Sequence, residues 1–267
     1  ALNIKYDLSP EQSFRFALSR TVTRPAFVEM APFSYKPGYG SPSLRGNQDI
    51  ENGYNYNVDL RYDFFPQNSG DMFSATAYFK YLQDPIERIQ QAEGGDAVYS
   101  FRNADNGIAA GIEVEMRKEL FKDFRAGING SYMYTNVKLA ANEGVYTENQ
   151  RALQGASPWL VNADLSYSPR WGEERQLALA LVYNMQGSRI HTVGIFGLGD
   201  VKQDALHTLN FVGSYQFNRH FILKWKVNDL LGSTARFRQE VPDTGQKVTV
   251  ESYKPGTNAE IGFTYTL

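Results

Sequence analysis

The nearest approach to acid–base chemistry in this chain is a pair of carboxylates, Glu113 and Glu115, within "GIEVEMRKEL". Two residues apart on an extended strand, they point to the same side, and paired carboxylates can divide the roles of acid and base. Arg117 continues the same side, and Arg125 follows on the next stretch. The pair therefore also reads as wall charge matched to arginine, or as a contact for another domain. The histidines His191, His207 and His220 are not at ligand spacing, and there is no cysteine, no HExxH and no Gly/Lys phosphate loop. An enzyme, a metal centre and an organic cofactor are not expected. The other chemistry-bearing groups gather where strand patterning stops. "PFSYKPGYG" holds Phe33, Tyr35 and Tyr39; "GSRIHTVGIFG" holds Arg189, His191 and Phe196; Arg236 and Arg238 lie in a third such segment. Aromatic faces beside guanidinium groups suit flat or anionic ligands such as iron chelates. The same residues could instead knit the segments to one another.

The elements that must position these groups repeat one pattern. In "GYNYNVDLRYDFF", Tyr54, Tyr56, Val58, Leu60, Tyr62 and Phe64 alternate with Asn55, Asn57, Asp59, Arg61 and Asp63. Period-2 alternation of this kind recurs along the whole chain and predicts eleven strands of about 7 to 16 residues, longer than the usual roughly 5–6. Membrane-crossing tilted strands need roughly 9–11. Connections alternate between short ("SPEQ", "PQNSG", "ELFKD", "SPRWGEE", "NRH") and long (about 23–52, 84–105, 140–156, 187–204 and 232–256). Short turns at one end and long loops at the other are the pattern of outer-membrane barrels. No run of 18 apolar residues exists to form a transmembrane helix, which does not weigh against a barrel. A formal charge of −2 gives no sign of a nucleic-acid partner.

Alternation alone leaves open which face is inside. Three features decide it. The apolar face is banded, with Tyr54, Tyr62, Phe64, Trp159 and Tyr167 at the ends of strands whose centres are aliphatic; aromatic girdles around a lipid-facing belt have this order. The opposite face carries Asp59, Arg61, Asp63, Glu113, Glu115 and Arg117, which suit a wet lumen or a plug filling it. The strands are also long enough to cross a bilayer. The expected fold is all-β, an antiparallel up-and-down transmembrane β-barrel.

Six stretches in order resemble the carboxy-terminal barrel half of TonB-dependent receptors: "SRTVTRPAFVEMAPFSY", "YNVDLRYDFFPQNSGDMFSATAYFKYLQDPIE", "NGIAAGIEVEMRKEL", "RALQGASPWLVNADLSY", "VYNMQGSRIHTVG" and "LKWKVNDLLGS". More narrowly, they are similar to the group that often carries a carboxypeptidase-regulatory-like domain. The resemblance implies active uptake of a scarce, large solute, an iron chelate or similar, by an outer-membrane receptor of a Gram-negative bacterium. It implies as partners outer-membrane lipid and lipopolysaccharide, the protein's own plug and amino-terminal barrel half, the TonB complex, and the barrel-assembly machinery. The last strand resembles the assembly signal, with Phe263 and Tyr265, although it ends in Leu267 rather than Phe. Eleven strands match the second half of a 22-stranded barrel, so residues 1–267 are expected to be that half, with plug and TonB box outside this chain. A passive porin-like or adhesin barrel is the alternative that needs only the alternation.

Overall fold

The computed structural model describes residues 1–36, 43–67, 69–93, 96–139, 149–194, 197–241 and 244–266, without the side chains of 90–97. Tyr39, Phe196 and Leu267 lie outside the described residues. Eleven long strands form one antiparallel wall in chain order. They are β1 (Leu2–Ser9), β2 (Gln12–Thr23), β3 (Gly53–Phe64), β4 (Met72–Gln83), β5 (Asn106–Phe121) and β6 (Phe124–Lys138). Then follow β7 (Trp159–Tyr167), β8 (Arg175–Gln186), β9 (Leu206–Gln216), β10 (Phe221–Asn228) and β11 (Asn258–Tyr265). The eleven strands of the sequence reading are all present. The sheet is not closed: β1 and β11 each pair on one side only among the described residues.

Burial identifies the inner face. Small polar residues of the charged face are nearly covered: Asp63 is 1%, Ser74 2% and Asn57 9% exposed. On the apolar face Leu60 is 49%, Ile112 56% and Trp159 51% exposed. A water-soluble barrel would show the reverse. Register keeps each face consistent, because Phe16, Leu60, Ala77 and Ile112 lie opposite one another across β2 to β5. Rings line up across strands at both ends of this outer face. Near the short turns, Phe14 meets Tyr62 at 5.1 Å and Phe124 stacks on Tyr167 at 4.2 Å. Near the loops, Tyr132 meets Trp159 at 4.3 Å and Tyr56 meets Tyr81 at 6.2 Å. From Tyr54 to Phe64, at roughly 3.3 Å per residue and a tilt of roughly 40°, the girdles are about 25 Å apart, the height of an outer-membrane apolar band.

Local chemistry explains the turns. The two-residue hairpin between β5 and β6 needs a left-handed residue, and Asp123 supplies it with φ 66°; aspartate tolerates this region better than most side chains. At the other end of the wall, Asp229 (φ 52°) follows β10. Its carboxylate accepts hydrogen bonds from the Ser233 amide at 2.8 Å and the Ser233 hydroxyl at 2.6 Å, while its own amide donates to Asn210 Oδ1. The "VNDLLGS" stretch is thus a staple that turns the chain out of the wall. Ser157 in "GASPW" works similarly, its hydroxyl lying 2.9 Å from the carbonyls of both Trp159 and Gly187.

The long connections are themselves folded. One four-stranded sheet orders Ser34–Tyr35, Ser43–Arg45, Asp96–Asn103 and Ile86–Glu93. A second orders Arg189–Thr192, Val201–Gln203, Ala235–Glu240 and Lys247–Tyr253. Together with the strand ends beneath them they make a crown on one end of the wall.

Candidate ligand-recognition site at the loop end

The crown is held together at a junction of three loops. Glu87, on the first strand of the 86–103 hairpin, meets Arg151 at 2.9 Å. Both side chains are buried, at 5% and 1% exposure. Arg151 lies opposite Val137 of β6, beside a small apolar cluster of Ala104, Val137, Leu139 and Leu153. Burial pushes the Glu87 carboxyl up, against the opposing pull of Arg151. Next to Glu87, Arg88 donates from Nη2 to the His191 carbonyl at 2.8 Å, and its guanidinium lies 4.8 Å from the Tyr99 ring centre. The same carbonyl accepts Gln154 Nε2 at 2.7 Å, and the Tyr99 hydroxyl is 3.2 Å from Thr192 Oγ1. One main-chain oxygen therefore ties the 86–103 hairpin and the 149–158 segment to the second crown sheet.

The described residues among those expected to bind ligand are distributed through this crown. Arg189 donates to Gln203 Oε1 at 2.8 Å and to the Gly155 carbonyl at 3.4 Å. The His191 ring packs on Phe237 at 4.5 Å. Partial burial, with Arg88 and Arg189 nearby, lowers its pKa against the opposing pull of Glu251. Tyr35 packs against the buried cluster of Leu44, Ile50 and Phe101, whereas Phe33 is 61% exposed with its ring 6.2 Å from that of Tyr35. Arg238 pairs with Asp204. Beside the junction is a cavity of about 610 Å³ lined by Thr135, Asn136, Gln150, Ser188, Arg189 and Lys202, among others. Arg189 belongs both to the loop scaffold and to this lining. The crown thus presents guanidinium, ammonium and amide donors around one opening, with the Asp200 carboxylate among them, a set suited to an oxygen-rich solute. The Glu87–Arg151 pair and the Arg88–Tyr99 contact escaped sequence reasoning. Their members stand too far apart in the chain to form a motif, and nothing local marks them as buried.

Along the inner wall several charges are paired. Asp63 lies between Arg61 Nε at 2.7 Å and Arg15 Nε at 3.3 Å. Arg117 meets Glu115 at 2.8 Å, while Arg125 meets Glu119 at 3.2 Å rather than the 113/115 pair. Asp59, Arg61 and Glu113 line one groove of the inner face. On β8 and β9 the inner positions carry no charge: Ala178, Ala180, Val182, Asn210 and Val212 stand there in register. On the outer face, Tyr54 receives Arg20, whose guanidinium carbon is 4.1 Å from the ring centre.

The family model described as "TonB dependent receptor-like, beta-barrel" matches residues 1–230. Among solved structures, the chain resembles a copper transporter, OprC, with a TM-score of 0.68 and 15% identity, over 98% of this chain and 38% of that one. It resembles the Pseudomonas aeruginosa ferric enterobactin receptor PfeA, as a mutant in complex with enterobactin, with a TM-score of 0.64 and 16% identity, over 98% and 40%. It also resembles the siderophore receptor PirA of Acinetobacter baumannii, with a TM-score of 0.62 and 14% identity, again over 98% and 40%. No curated protein matches the sequence. The chain spans about 40% of the length of these structures. It belongs to the TonB-dependent receptor β-barrel family, whose members are receptors and transporters of the Gram-negative outer membrane and not enzymes.

Proposed function

We propose that this chain is the carboxy-terminal half of a 22-stranded wall in an outer-membrane transporter that takes up a scarce, large solute with energy from the TonB complex. The observation that carries the reading is the inverted wall: Asp63 and small polar groups such as Ser74 and Asn57 covered, apolar groups exposed between two aromatic girdles. The two unpaired wall edges call for further strands, and the matched structures are more than twice as long as this chain. A plug would meet the charges of β1 to β6, including Asp59, Arg61, Asp63, Glu113, Glu115 and Arg117. Tyr54, Tyr62, Phe64, Trp159 and Tyr167 would sit at the lipid–water interfaces, with lipopolysaccharide against the loop-side girdle. Phe263 and Tyr265, 75% and 65% exposed on the open edge strand, would be read by the assembly machinery.

Solved neighbours named as receptors for ferric enterobactin or siderophores and as a copper transporter support a chelated-metal solute. The proposed ligand-contacting set is Phe33, Tyr35, Tyr39, Arg189, His191 and Phe196, to which Lys202 is added because it lines the cavity together with Arg189. The test is growth of a host lacking this protein on candidate iron chelates as sole iron source. Loss of growth on one chelate, reproduced by removing TonB, supports the reading. Uptake that persists without TonB would make the protein a passive pore and overturn it.

A further inference from the structure

We infer that the strand Lys247–Tyr253 is a docking edge for an extended segment from the rest of this same polypeptide, so that the crown, like the wall, is closed by strand addition. The inference rests on the proposed barrel reading and goes beyond it, because closing a wall does not require joining loops. In the second crown sheet the strands stand in the order Arg189–Thr192, Val201–Gln203, Ala235–Glu240 and Lys247–Tyr253. They follow or precede β8, β9, β10 and β11 respectively, so the crown sheet repeats the order of the wall beneath it. Its two edges differ. The 189–192 edge is covered, through the His191 carbonyl and Thr192, by Arg88, Gln154 and Tyr99. The 247–253 edge is exposed at all seven residues, with Val248 at 44%, Val250 at 50% and Tyr253 at 51%.

This open crown edge and the open wall edge are consecutive in the chain. Only residues 254–257 separate Tyr253 from Asn258, where β11 begins, and all eight residues of β11 are also exposed. β11 runs from the crown toward the short turns, because its far end, Tyr265, pairs with Phe221 at the start of β10. An antiparallel neighbour on its open side must run the other way and emerge at the crown beside 247–253. The segment that continues this neighbour thus arrives antiparallel to a strand whose outer hydrogen-bonding groups have no partner among the described residues. In an antiparallel ladder alternate residues turn their N–H groups away from the existing partner, and strand addition satisfies them.

Hydrogen–deuterium exchange on the purified full-length protein, kept monomeric in detergent as checked by light scattering, tests this. The expected result is that β11 and those amides of 247–253 not bonded to 235–240 all exchange at least about 100-fold slower than free amides. Slow exchange in β11 with fast exchange at those crown amides overturns the docking edge while leaving the barrel reading intact. Fast exchange in β11 as well overturns both. Protection of 247–253 that appears only in oligomers assigns the edge to a second copy and also overturns the inference.

Discussion

Replacing Arg151 with Met removes the cation from the loop junction and keeps much of the volume. Glu87, 5% exposed, is then left without its counter-charge. Breaking a buried pair from one side costs about 3–5 kcal/mol when the remaining charge cannot escape. Glu87 has an escape, because it can take up a proton. That costs about 1.4 kcal/mol for each pH unit above an ordinary glutamate pKa of about 4.3, or roughly 4 kcal/mol at pH 7 and about 1 kcal/mol at pH 5. Burial already pushes this carboxyl up in the unaltered protein, so these figures are upper bounds. The sign follows: the closed junction holds the proton more tightly than the open chain, so the variant is firmest in acid and loosens as pH rises through the raised value. The readout is hydrogen exchange at the Ala104 amide, which donates to Pro85, and the Leu153 amide, which donates to Thr135 Oγ1. Relative to the unaltered protein at the same pH, exchange should accelerate by up to several hundred-fold at pH 7 and by less than about tenfold at pH 5. An equal acceleration at both values, or none at pH 7, would refute the account of the junction as a buried ion pair.

Three further perturbations follow from the geometry. Leu60→Arg places a charge at mid-height on the outer face and should cost about 2–4 kcal/mol. Asp59→Arg, one residue away on the inner face, should cost far less, as judged by urea unfolding of the protein in lipid; the opposite ranking would reverse the faces. A Cβ on Gly213 would stand 2.2 Å from Cε2 of Trp225, so Gly213→Ala must push the indole off β9. A destabilisation of about 1–3 kcal/mol is expected, with a shift in tryptophan emission; an unchanged spectrum would show that the ring does not rest there. The lowered pKa of His191 means that the folded crown favours its neutral form. That contribution is present above the ordinary histidine pKa of about 6.5 and is lost as pH falls through the depressed value. His191→Phe keeps a ring against Phe237 and should flatten the acid sensitivity of limited proteolysis in the crown between pH 7 and 5. A variant as acid-sensitive as the unaltered protein would place the sensor elsewhere.

The wall was legible because a strand in lipid has no freedom to mix its faces. Every second residue from Tyr54 to Phe64 answers to a different solvent, and that constraint is local enough to see in one stretch. The crown was legible only as length. Its sheets join strands from different loops, such as Ser43–Arg45 with Asp96–Asn103, and short strands without a solvent-imposed period leave little trace. Arg189 and His191 stood out as a charged and a titratable group in a loop, and they do sit at the junction. Their hydrogen bonds and packing could not be read, because the partners Gln203, Gly155, Gln154 and Phe237 carry no local mark. Glu113 and Glu115 show the same limit: Glu115 takes Arg117 from its own strand, whereas Arg125, which looked equally available, is claimed by Glu119.

The order of the wall also has a kinetic meaning. Each of the ten pairings joins strands that follow one another among the eleven. The pairings therefore close short turns and long loops alternately, the entropy cost of closure rises only slowly with length, and mean contact separation stays low for an all-β sheet. Such a sheet can lengthen one hairpin at a time, each new strand finding its template in the one just laid down. Within the wall no step needs a distant search, whereas the crown joins strands from different loops. If the wall is closed as proposed, the pairing of β11 and β1 with outside strands is its one long-range event, and the rate of wall assembly should be set there.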